Sequence, residues 1–109
     1  MSQEDRPPGT TRYSEEEFRA SLTADRPPAG LRRALAALWY ASRGEREAAH
    51  GLVQEGNREE DAHVHALLHR EEGDSGNAAY WYRRAKQPVA TGSVDAERGA
   101  LLRKLLAAD

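Results

Sequence analysis

The stretch from Leu67 to Ala85, LLHREEGDSGNAAYWYRRA, constrains this chain more than any other. Apolar residues at helical spacing run up to Gly73. A short polar turn follows, Gly73 to Asn77, and alanine and aromatic residues at helical spacing then resume. A glycine after a helical stripe supplies the left-handed residue that ends a helix. An aspartate or serine before the next stripe caps its first turn, so Asp74 or Ser75 is expected to cap the helix that follows. The stretch therefore reads as two short helices folded back on each other across Gly73.

The same punctuation divides the rest of the chain. Ser14 and Glu17 have capping-box spacing and predict a short helix over residues 15–22, with Phe18 and Leu22 on its apolar line. Pro27 and Pro28 stop it, and Pro28 suits the first turn of a helix over residues 29–43. Leu31, Ala34, Leu35, Leu38 and Trp39 make that helix's stripe, and Gly44 ends it. Residues 45–55 carry a smaller stripe of Ala48, Ala49, Leu52 and Val53, and residues 58–72 a line of Val64, Leu67 and Leu68. Residues 78–86 should bury Ala78, Trp81, Tyr82 and Ala85. Ser93 is a plausible N-cap for a last helix carrying Val94, Leu101, Leu102, Leu105 and Leu106. β-Branched residues are few and alanine and leucine abundant, which favours helix over strand. The fold class expected is all-α, five to six short helices in antiparallel pairs. Residues 1–13 form a polar, proline-containing tail read as disordered, and residues 14–109 a single domain.

Two glycine turns are followed by the same pattern. Ala49 and Val53 follow Gly44 at the offsets by which Ala78 and Tyr82 follow Gly73, a repeat distance of 29 residues. Small alanines let the second helix of each pair approach the first closely. The pairs, about 31–56 and 59–86, resemble tetratricopeptide and Sel-type helical repeats, and Ala78 to Ala85 resembles the second helix of a Sel-type unit. Two units are fewer than a self-supporting array needs, so helices 15–22 and 94–108 are expected to cap them. The block from Leu68 to Arg83 also resembles that of small uncharacterised proteins from bacteria, plants and fungi. That likeness implies a motif and no chemistry.

Composition excludes some functions. There is no cysteine, which removes thiolate metal sites, disulfides and cysteine nucleophiles. Net charge is −2, with acidic and basic residues mixed and only short basic pairs, Arg32-Arg33 and Arg83-Arg84, so no nucleic-acid partner is expected. No apolar run is long enough for a membrane span or a signal sequence, and a cytoplasmic location follows as the default expectation.

His65 and His69 lie one turn apart, with Asp61 and Glu72 on the same line. One reading is a half-buried polar seam, with Tyr82 and Glu72 bonding the imidazoles. A second is a ligand or acid–base pocket of His65, His69, Glu72 and Tyr82. A third is a metal held by His65, His69 and Asp61, although the glutamate of a zinc-protease helix is absent from HALLH. No cofactor is otherwise expected. His50 and His63 fall off this line and are read as solvated. Glu60, His63, Leu67 and Arg70 form the fourth helix's outer face, which in tetratricopeptide-like arrays lines the binding surface. Tyr80, Arg83 and Arg84, with Arg70 and Glu71, could add a patch for an acidic peptide or small anion. The leading expectation is a protein–protein interaction or scaffold module with a protein or peptide partner, homodimeric. The alternative is a small-ligand or metal-dependent enzyme. The apolar stripe of Leu31, Ala34, Leu35 and Leu38 needs a cover: the N-terminal helix, a second copy, or a partner peptide.

Overall fold

A computed structural model describes residues 13–108. It is all-helical. The helices are α1 (Glu15–Ala20), α2 (Arg33–Ser42), α3 (Arg46–Gln54), α4 (Glu59–Glu71), α5 (Ser75–Arg84) and α6 (Val94–Ala107), with a 3₁₀ turn, Ser21–Thr23, after α1. No described residue lies in a strand. No helix is long and apolar enough to cross a membrane among the described residues.

Local chemistry sets the boundaries. Ser14 Oγ accepts the Glu17 amide while Glu17 Oε1 accepts the Ser14 amide, so the capping box closes in both directions. Gly44 and Gly73 both adopt φ of +80° at the reversals that separate α2 from α3 and α4 from α5. Asp74, not Ser75, caps α5 by accepting the Asn77 amide at 3.2 Å, so α5 begins at Ser75 rather than Ala78. Ser93 caps α6 as its sequence implies. One boundary differs more. α2 starts at Arg33, not Ala29, because Gly30 turns left-handed at φ +79° and Arg32 is extended. Pro28 therefore lies outside the helix.

α2 pairs with α3 and α4 with α5, and Ala49 and Ala78 are buried between the partners. The stripe of Ala34, Leu35 and Leu38 is covered by the chain itself: Phe18 of α1 and Leu101, Leu102 and Leu105 of α6 join it in one core around Trp39. Trp39 is fully buried, and its Nε1 donates to Ser21 Oγ at 3.0 Å. Arg43 lies over the Trp39 ring and donates to the Leu22 carbonyl, which ties α1 to the end of α2. Ala48, by contrast, is exposed. Of the expected tail, residues 1–13, residues 1–12 lie outside the described residues. Its last member, Tyr13, is held by donating to the Ala29 carbonyl at 2.8 Å.

Candidate functional site

Two polar clusters flank α4, and neither has the membership expected from sequence spacing. The first lies against α6. Glu97 accepts from Tyr82 Oη at 2.6 Å and from Arg70 Nη1 at 2.8 Å, and His63 Nε2 lies 3.6 Å from it. Its side chain is 9% exposed, and Arg70 also donates to the Gly92 carbonyl. Burial raises the Glu97 carboxyl's pKa, but donors from His63, Tyr82 and Arg70, with the Arg70 charge, outweigh it and hold the group below its ordinary value. Burial and the adjoining Glu97 carboxylate push the Tyr82 phenol up, against a smaller opposing effect of Arg70. This network fastens α6 to α4 and α5. Further along, Arg98 of α6 pairs with Glu71, and Arg32 bridges Glu60 and the Leu105 carbonyl.

Several expectations for α4's outer face change accordingly. Leu67 is fully buried, and Glu60, His63 and Arg70 are half-buried beneath α6. His63 is not simply solvated. Arg70 and Glu71 are taken by Glu97 and Arg98, so they do not join Tyr80. Of the proposed partner surface, only Tyr80 and Arg83 are exposed. Glu97 itself was missed. Its signal is its register: Glu97, Leu101 and Leu105 follow one another at i, i+4 and i+8, which puts a carboxylate on a docking face.

The second cluster lies on the opposite flank of α4, against α3. His65 and His69 do stand together, rings nearly parallel with centroids 5.1 Å apart. Their companion is His50 of α3, perpendicular to both at 4.5 Å and 5.2 Å. His50, read from sequence as solvated, is half-buried. Asp61 is not among them. It is buried at the start of α4, where its Oδ2 accepts the Arg58 amide at 3.1 Å. Tyr82 faces His63 and Glu97, so the pocket of His65, His69, Glu72 and Tyr82 is not assembled. Trp81 takes that place, stacked on His65 at 3.9 Å and 12°. Glu72 Oε1 stands 3.4 Å, and Asp74 Oδ2 3.9 Å, from His69 Nδ1.

His65 is 4% exposed. Burial, reinforced by the neighbouring His50 and His69, lowers its pKa from 6.5 to about 4. The unfolded chain thus takes the proton first as pH falls. The stability His65 contributes is complete above pH 6.5 and is lost progressively towards pH 4. A displacement of that size is worth at most about 3 kcal/mol, which solvent at the cluster's edge reduces to about 1–2 kcal/mol. Urea unfolding of metal-free protein should show this loss between pH 7 and pH 4.5, and His65→Gln should remove most of the slope. An unchanged slope in that variant would place the acid sensitivity elsewhere.

The chain matches no family model, no curated protein and no solved structure.

Proposed function

We propose that this protein is a small helical interaction module that holds an acidic protein segment on the outer face of α5. The observation that carries the reading is the surface made by Tyr80, Arg83 and Arg84. Tyr80 is 41% exposed, one of two large hydrophobic residues so exposed among the described residues. Arg83 and Arg84 place their guanidinium groups 5.8 Å and 5.9 Å from its ring, and Arg84 donates to its hydroxyl. Neither arginine forms an ion pair with a carboxylate among the described residues, whereas the arginines at α6 are bound by acids. An aromatic flanked by two unpaired guanidinium groups suits a carboxylate-bearing peptide. Arginine grips carboxylates bidentately, and tyrosine supplies contact area at small entropic cost. The glycine-hinged pairs supply a rigid mount, since α5 is anchored from beneath by Ala78, Tyr82 and Ala85.

The apolar stripe of α2 does not support the reading, because α1 and α6 cover it. Homodimerisation through that stripe is accordingly no part of the proposal. The expected result is salt-sensitive binding of a fluorescein-labelled glutamate-rich peptide by fluorescence polarisation. Arg83→Glu with Arg84→Glu should weaken it by about tenfold or more, a loss of roughly 1.4 kcal/mol. Equal binding by the variant, or none by the parent chain, would remove α5 as the partner face.

A further inference from the structure

Three imidazoles from two helices meet on the flank of α4 away from α6, and each carries a buried ring nitrogen with no hydrogen-bond partner: His50 Nε2, His65 Nδ1 and His69 Nδ1. Leaving one such atom unbonded costs roughly 1–3 kcal/mol, and here three occur together. One ring nitrogen from each residue can be chosen so that all three lie within 4.8 Å of one another. We propose that His50, His65 and His69 form a mononuclear site for a first-row transition metal, Zn²⁺ as the test case, with its fourth position open to solvent beside Glu72.

The donor set selects the metal class. Neutral imidazoles suit Zn²⁺, Cu²⁺, Ni²⁺ and Fe²⁺, while Mg²⁺ and Ca²⁺ take oxygen ligands. The required movement is small. Zn–N bonds of about 2.0–2.1 Å in a tetrahedron put the nitrogens about 3.4 Å apart. Closing from 4.8 Å or less is within reach of side-chain rotation by His50 and His69, which are half-buried. His65 is the fixed member, buried and stacked on the Trp81 ring.

Outer groups are in place as well. Glu72 and Asp74 stand 3.4 Å and 3.9 Å from His69 Nδ1, close enough for a carboxylate to hold whichever ring nitrogen of His69 the metal does not take. A cleft of about 450 Å³, lined by Arg46, Gly51, His50 and Glu72 among others, adjoins the cluster. A water, or the Glu72 carboxylate, can complete the coordination from that side. Three protein ligands with one position facing solvent is the arrangement of an exchangeable site. The earlier grouping of His65, His69 and Asp61 gives way to one in which α3 supplies the third ligand, so the metal would also cross-link the two repeat-like pairs.

The test uses tag-free full-length protein, stripped with chelator and titrated with ZnCl₂ by calorimetry. Binding of one Zn²⁺ per chain is expected, with a rise in melting temperature that chelator reverses. Co²⁺ in its place should give the visible bands of a four-coordinate centre. His50→Gln and His69→Gln should each weaken Zn²⁺ binding by about tenfold or more with the helical circular dichroism intact. His63→Gln, outside the cluster, should bind as the parent chain does. If His65→Gln fails to fold, the two half-buried positions still decide the matter. Binding well below one equivalent at micromolar Zn²⁺, or undiminished in both His50→Gln and His69→Gln, would overturn the site.

Discussion

Glu97→Leu should lower stability by about 3–5 kcal/mol, the range for removing one partner of a buried ion pair. For a domain of this size that is a drop of at least about 12 °C in melting temperature. Leucine fits the apolar line of α6, so the loss would not come from helix propensity. It would come from what is left behind: the Arg70 guanidinium without its carboxylate and the Tyr82 hydroxyl without its acceptor. Glu97→Gln keeps an acceptor for Tyr82 and should cost less, about 1–2 kcal/mol. Tyr82→Phe in the Glu97→Leu background should add little, because its bond is already gone. Circular dichroism melts of the four chains would check this ordering. A melting temperature unmoved by Glu97→Leu would mean that α6 is held without Glu97, by its leucines and by the Arg98–Glu71 and Arg32–Leu105 contacts.

Gly56→Ala is expected to be the next most damaging change, about 2–4 kcal/mol, from a single added methyl group. Gly56 does not have a positive φ, so backbone strain is not the cause. A Cβ there would overlap the Asp61 carboxylate and come within 2.7 Å of Arg33 Cδ. Asp61 is 3% exposed and accepts the Arg58 amide, so displacing it uncaps α4 and crowds a buried charge. Gly51→Ala is the matched control. Gly51 is exposed within α3 and an added Cβ meets nothing within 4 Å, so that change should stabilise by about 0.5–1 kcal/mol. Opposite signs for one chemical change, read by urea midpoints, would locate the effect at Asp61. Gly56→Ala combined with Asp61→Ala should recover part of the loss.

Much of the fold is legible residue by residue. The Ser14–Glu17 box, the Gly44 and Gly73 reversals and the Ser93 cap depend on groups at most four positions apart. The alanines that seat α3 and α5 follow from the glycine spacing, and Ala49 and Ala78 are buried. The site was legible only in part. His65 and His69 are neighbours because an α-helix places i and i+4 on one face. His50 comes from another helix, next to Ala49 and three residues before Val53, on the face that meets α4. That adjacency was the available signal. An imidazole beside a buried line can turn towards solvent or towards its neighbours, and spacing alone does not say which.

Helix identity, helix ends and the apolar side of each segment belong to the amino-acid order, since they are settled by bonds and contacts within one or two turns. The cover over Ala34, Leu35 and Leu38, the burial of Leu67 and the recruitment of His50 belong to the assembled molecule. Each depends on where α1, α3 and α6 come to rest, through contacts such as Arg32 with the Leu105 carbonyl, 73 positions away. Shape and charge matching over such separations leave no periodic trace in the chain, so a stripe that looks free in one dimension is filled in three.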